Sequence, residues 1–179
     1  MFKISAVWLA MAAMALALAA PADALTKRPV AKKKTAAAEI KKCKPGEVFN
    51  KRQKKCVKME SRILPDEELI EQGVVLARAG DYEWAIQLFA GVADRSNPEA
   101  LTMLGYSHRH AGRLATGIGY YNRALAIDPD YVQAREYLGE GYVEAGKFEL
   151  AAVQLREIEI RCGRVCEEYQ ELAEALARK

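Results

Sequence analysis

Histidine is scarce in this chain, two in 179 residues, and that count disfavours a His-rich metal enzyme. Cysteine is sparse as well. Four are too few for a disulfide-dense scaffold, though enough for two bridges. With 12 Gly and 6 Pro the chain is neither collagen-like nor of low complexity. After residue 20 no apolar run is long enough to cross a bilayer. Glycine-rich phosphate loops are absent: Gly117-Ile-Gly119 falls inside a helical pattern and lacks the preceding strand that a nucleotide motif requires. No nucleophile, base and acid recur in a recognisable arrangement. His108 and His110 are two apart, so they face different sides of a helix and cannot jointly hold a metal. These absences lead us to expect no enzyme, no cofactor and no metal site.

What the chain does have begins at its amino end. Lys3 precedes an uncharged run from Ile4 to Ala20, followed by Pro21-Ala22-Asp23-Ala24. A positive start, a short apolar stretch and small residues at 22 and 24 are the pattern of a secretory signal peptide cleaved after Ala24. The alternative is a membrane anchor, but the run is Ala-rich, at the short limit for a span, and has no stop-transfer charges beside it. The expected location is the periplasm or the exterior of a bacterial cell, with no integral membrane segment after cleavage.

Charge divides the remainder. Residues 25–60 carry 13 Lys/Arg against three acids, a net +10, whereas residues 61–179 carry 13 against 20, a net −7. The overall +3 conceals a basic arm on an acidic domain. Residues 25–42 have few large apolar side chains and read as a flexible basic linker. Residues 43–60 are different. Pro45-Gly46 signals a turn, Val48-Phe49 is an apolar patch, a basic turn follows, and Cys56 answers Cys43. In an oxidising compartment these two cysteines are expected to staple a basic hairpin, closing a loop that contributes about 3 kcal/mol in the chain-entropy description. Such a segment either attracts an anionic envelope surface, lipid or cell-wall polymer, or serves as a solvated spacer. Nucleic acid is not expected as a partner of an exported protein.

A repeat governs the rest. Three segments, 66–97, 98–131 and 132–163, align on Gly80, Gly112 and Gly146, which are 32 and 34 residues apart. Each glycine closes one amphipathic helical stretch and precedes another. The second segment carries Leu104-Gly105, Ala124 and Asp128-Pro129; the third Leu138-Gly139, Tyr142, Ala151 and Leu155; the first Gly73, Leu76, Ala85 and Phe89. These residues resemble the tetratricopeptide repeat (TPR) family across about residues 66–163. Departures are Gln72 where the family usually has Leu, Gly117 for Ala, His108 for a large aromatic, and a first repeat two residues short. Residues 164–179 form a further amphipathic stretch with Val165, Tyr169, Leu172 and Leu176 on one stripe, read as a capping helix. Cys162 and Cys166 lie at that junction, where a bridge would clamp the cap to the third repeat. The two local bridges are one of three possible connectivities.

The expected fold is therefore all-α: a TPR solenoid of three helix-turn-helix repeats plus a C-terminal capping helix, preceded by the basic Cys-containing segment. The resemblance implies a protein or peptide partner held on the concave face by the first helix of each repeat. Carried onto this chain, those positions are Glu67, Ile70, Val74 and Arg78, then Thr102, Tyr106, Arg109 and His110, then Gln133, Glu136, Glu140 and Glu144. The Lys/Asn clamp that grips a terminal carboxylate in chaperone-binding members is not seen. Two rival readings stand beside a groove adaptor: the basic hairpin as the working surface, and a thiol-redox role for Cys162 and Cys166. Self-association through the repeat faces remains open.

Overall fold

The computed structural model describes residues 43–44, 46–59, 64–92 and 94–178. The expected signal peptide (1–24) and linker (25–42) lie outside the described residues. The described chain begins with an antiparallel hairpin, β1 (Glu47–Asn50) and β2 (Lys55–Lys58), and continues through seven helices. These are α1 (Asp66–Arg78), α2 (Tyr82–Gly91), α3 (Pro98–His110), α4 (Leu114–Ile127), α5 (Val132–Glu144), α6 (Phe148–Cys162) and α7 (Glu167–Ala177). No helix among them is long and apolar enough to cross a membrane.

The three repeat glycines do the same work three times. Gly80, Gly112 and Gly146 take φ of 85°, 80° and 69°, left-handed values that a side chain would strain. Each lets two amides turn back onto the helix just ended. The Asp81 N–H reaches the Leu76 carbonyl (2.9 Å) and the Gly80 N–H that of Ala77 (3.1 Å). Arg113 to His108 (2.9 Å) with Gly112 to Arg109 (2.9 Å) repeats the pattern, as does Lys147 to Tyr142 (2.8 Å) with Gly146 to Val143 (3.0 Å). These are Schellman caps, which satisfy the orphan carbonyls and reverse the chain into the second helix of each pair. At the start of α3 the Asn97 side chain accepts from the Ala100 N–H (2.9 Å), and Pro98 occupies the first turn.

Close approach of paired helices explains a second set of glycines. A Cβ on Gly73 would lie 2.5 Å from the Phe89 ring, and one on Gly105 2.5 Å from Tyr121. Both rings are essentially fully buried. Gly117, where the family favours Ala, faces the Gly105 carbonyl so closely that a Cβ would stand 2.8 Å from it. The crossing of α3 and α4 is thus glycine on glycine.

Gln72 is the departure with the largest structural consequence. Its counterpart in the next repeat, Leu104, packs against the first repeat's second helix in the core. Among the described residues no repeat precedes the first, and the hairpin takes that place: Val48, Val57 and Met59 join the core formed by Leu69, Ile70 and Phe89. β1 would still present a free edge. Gln72, 4% exposed, closes it with its amide, accepting from the Phe49 N–H (2.7 Å) and donating to the Phe49 carbonyl (2.9 Å). The Lys51–Glu71 ion pair adds a contact beside it. Cys43 is bonded to Cys56, with Cα atoms 5.7 Å apart.

At the other end α7 covers α5 and α6. Leu172, fully buried, sits over Gly139, where any side chain would collide with it. Cys162 is bonded to Cys166, Cα to Cα 5.9 Å, across the turn that Gly163 makes at φ 78°. One expectation needs correction: Val165 is not on the packing stripe. It is 86% exposed in the turn before α7, because the helix starts only at Glu167. Cys166, Tyr169, Leu172, Ala175 and Leu176 form the seam instead.

Candidate functional site

The first helices of the three repeats, α1, α3 and α5, share one face, and a depression of about 100 Å³ lies on it. Its lining comes from Val74 and Arg78 on α1, Glu99, Met103 and Tyr106 on α3, and Gln133 and Tyr137 on α5. The Tyr106 and Tyr137 rings belong to that lining, and further rings adjoin them. Tyr106 and Tyr137 have centroids 5.2 Å apart, and His110 lies 4.2 Å from Tyr106. Tyr82, at the start of α2, stacks on His110 at 5.4 Å. Burial pushes the Tyr106 and Tyr137 hydroxyls above their ordinary range, so both are neutral donors at physiological pH. Burial, with the Arg109 charge beside it, pulls His110 down, which keeps its ring neutral there too.

The twelve positions expected to line the groove divide in two. Glu67, Val74, Arg78, Tyr106, His110, Gln133, Glu140 and Glu144 keep exposed or half-exposed side chains. Ile70, Thr102, Arg109 and Glu136 are buried between neighbouring helices. Three of these, Ile70, Thr102 and Glu136, are the same place in successive repeats, and each is covered when the next first helix docks.

Arg109 and Glu136 therefore act differently from what their position on the face implies. The Arg109 side chain is 4% exposed and holds two carboxylates of α5, Glu140 and Glu144, the latter at 2.6 Å. Burial disfavours its charge, but the Tyr121 hydroxyl and the two carboxylates more than offset this, and its proton is held tightly. It ties α3 to α5 and is not free to grip a ligand. Glu136 is 3% exposed. Burial, then the Glu140 charge, then a hydrogen bond to Glu171 on α7, together with the charges of Glu171 and Glu168, push its carboxyl up to about 9. At neutral pH it is a protonated acid bonded to a carboxylate.

His108 stays out of the face. Its Nδ1 accepts from Arg113 Nε (2.8 Å) and its ring stacks on Tyr120 (5.3 Å). Tyr82, Glu99, Met103 and Tyr137 belong to the site but not to the expected set. The sequence held one clue: Met103 and Tyr137 are 34 residues apart, the repeat spacing, each one residue past Thr102 and Glu136. Among the described residues, the groupings that bring three metal-donor side chains together are each built on one of the two disulfides, whose sulfurs are already spent.

Comparisons with known proteins agree with this architecture. A family profile described as a tetratricopeptide repeat matches residues 98–141. Curated protein sequences give no match. Among solved structures, the chain is similar to the first TPR of Spaghetti (RPAP3) bound to the HSP90 peptide SRMEEVD, at 23% identity and TM-score 0.54, over 63% of this chain and 93% of that one. It is also similar to the Sgt2 TPR domain from Aspergillus fumigatus, at 19% identity and TM-score 0.57, over 66% and 82%. The type III secretion translocator chaperone SycD of Yersinia enterocolitica aligns at 19% identity and TM-score 0.54, over 63% and 85%. At these identities the likeness is one of fold. Three glycine-capped helix pairs, a tetratricopeptide repeat match over α3, α4 and most of α5, and these neighbours give the described residues the tetratricopeptide repeat fold.

Proposed function

We propose that this protein is a non-catalytic interaction module that holds a peptide or an exposed segment of a partner protein along the face of α1, α3 and α5. The observation that carries this reading is the depression walled by Tyr106 and Tyr137, open on the one face that all three repeats share. Rings of this kind supply contact area at low entropic cost and are enriched among residues that dominate binding. The similar Spaghetti domain is described with a peptide bound, which shows that this fold can hold one. Pairing of all four cysteines is in keeping with the exported location that the amino-terminal pattern leads us to expect.

The direct test is photo-crosslinking in the native cell from a benzophenone side chain placed at position 106, with mass spectrometry of the adducts. One or a few defined protein adducts, lost when Tyr137 is changed to Ala in the same chain, support the groove. Adducts unaffected by that change refute it.

A second reading is favoured by the hairpin itself. Arg52, Lys54 and Lys55 stand exposed around its turn, on a rigid base stapled by Cys43–Cys56 and docked through Gln72. In this reading the tip is attracted to an anionic envelope surface, an interaction that fades over about 8 Å at physiological salt. Co-sedimentation of the full chain with anionic vesicles, abolished by Arg52→Glu with Lys54→Glu, would support it.

A further inference from the structure

We propose that the groove selects a cationic segment: a peptide whose apolar or aromatic side chain enters beside Tyr106 and Tyr137 while its Lys or Arg residues lie toward α5 and α7. This deepens the groove reading and rests on it.

The inference follows from how the charges on this face are spent. Arg109 is the strongest cation that sequence position offers to a ligand, yet it is enclosed and committed to Glu140 and Glu144. One guanidinium cannot neutralise two carboxylates. Glu140 keeps 26% and Glu144 47% of its side chain exposed, so the unbalanced charge faces outward. Continuing toward the carboxyl end, α7 presents Glu168 and Glu171 to the same neighbourhood, close enough to act on Glu136. Among the described residues that line the depression the cation is Arg78, and it shares the depression with Glu99. Glu67 on α1 adds an exposed carboxylate, so the face is negative overall and most strongly so over α5 and α7.

The aromatic lining points the same way. Ring faces carry a negative quadrupole and attract ammonium and guanidinium groups, with the largest effect where water is excluded. Glu140 is close enough to act on both Tyr106 and Tyr137, so a basic side chain seated against these rings has the Glu140 and Glu144 pair within electrostatic reach. An acidic tail, such as the one ending the peptide held by the similar Spaghetti domain, would meet repulsion on this path.

The test uses the disulfide-bonded mature chain and two equimolar libraries of twelve-residue peptides. One is built from Ala, Gly, Leu, Phe, Lys and Arg; the other has Asp and Glu in place of Lys and Arg. The expected result is retention of the cationic library by ~10-fold over the anionic one, an advantage of about 1.4 kcal/mol that high salt removes. Glu144→Gln should cut retention several-fold. Glu144 is chosen because Glu140 alone still holds Arg109, and an unchanged melting temperature verifies that the variant is folded. Tyr106→Leu, which keeps apolar bulk but removes the ring, should also weaken retention.

Equal or reversed preference that Tyr106→Leu still weakens overturns the charge inference and leaves the groove standing. Cationic retention insensitive to Tyr106→Leu and to Glu144→Gln places the binding elsewhere and overturns both. Retention of neither library also overturns both. Salt-sensitive self-association of the chain without peptide, lost in Glu144→Gln, would give the acidic half to a second copy and overturn the inference.

Discussion

Replacing Glu136 by Gln should stabilise this protein at neutral pH, although it removes a buried hydrogen-bonded carboxyl. In the folded chain Glu136 is 3% exposed and its carboxyl is pushed up to about 9, by burial first and then by Glu140, Glu171 and Glu168. Unfolded, the same carboxyl titrates near 4.5. The folded state therefore binds a proton that the unfolded state releases. Stability from this group is complete below about pH 4.5 and is lost progressively as pH rises toward 9. Each unit is worth about 1.4 kcal/mol, so by pH 7 the loss is about 3 kcal/mol. Glutamine keeps the shape and donates to Glu171 at every pH. For a helical domain of this size the gain corresponds to a rise in melting temperature on the order of 10 °C at pH 7. The assay is thermal melting by circular dichroism between pH 5 and 9 for both chains. The wild type should lose stability relative to Glu136→Gln as pH rises, and the two should converge near pH 5. His108 and His110, both held below their ordinary range, impose the opposite trend at low pH, but equally on both chains, so the difference isolates Glu136. A difference that does not grow with pH, or a variant less stable at pH 8, would refute the argument.

Gln72→Leu restores the family residue and should loosen the hairpin, because the Phe49 N–H and carbonyl lose their partners at roughly 1–3 kcal/mol each; faster exchange of the Phe49 amide, with helical content unchanged, is the readout. Gly117→Ala, favourable by about 1 kcal/mol on helix propensity, should instead lower the melting temperature, since its Cβ would stand 2.8 Å from the Gly105 carbonyl and overpacking costs about 1–3 kcal/mol. Reduction of both disulfides should destabilise the chain unevenly. The 13-residue separation of Cys43 and Cys56 is worth about 3 kcal/mol and the four-residue separation of Cys162 and Cys166 about 2 kcal/mol, measurable as denaturation midpoints of Cys43→Ser/Cys56→Ser and Cys162→Ser/Cys166→Ser chains.

The parts of this fold that were legible in the sequence are those set by local chemistry and repeated. A glycine that must adopt positive φ leaves the same mark at 80, 112 and 146, and the helix pairs follow from that mark. What was not legible depends on partners distant in the chain. Gln72 stood out as a departure, but nothing near residue 72 says that the backbone of residue 49 will come to meet it. Val165 fits a helical stripe by spacing and fails because the disulfide turn puts the start of the helix at Glu167, three residues later than expected. On the first helices, the family resemblance supplied candidate positions without their depth. Ile70, Thr102 and Glu136 occupy equivalent places in successive repeats and are buried there. Tyr137, one residue further round, stays at the surface.

That distinction bears on how the face can be both rigid and selective. Two polar ties with one buried member each join neighbouring helices of this face: Arg109 to Glu140 and Glu144, linking α3 to α5, and Glu136 to Glu171, linking α5 to α7. Each tie contains more carboxyl groups than cations. Buried, that surplus is tolerable only if a proton is taken up, as at Glu136, or if one carboxylate reaches solvent, as at Glu144. The acidity of the outer surface over α5 is in this sense a consequence of how the inner surface is held together. It also determines which substitutions are informative. Changing Arg109 leaves Glu140 beside a protonated Glu136 without its cation, so lost binding would report on folding rather than recognition. Glu144 is the member of the set whose exposed half can serve a ligand while Glu140 keeps the tie. Binding that falls in Glu144→Gln while the melting temperature holds is the result that separates recognition from architecture.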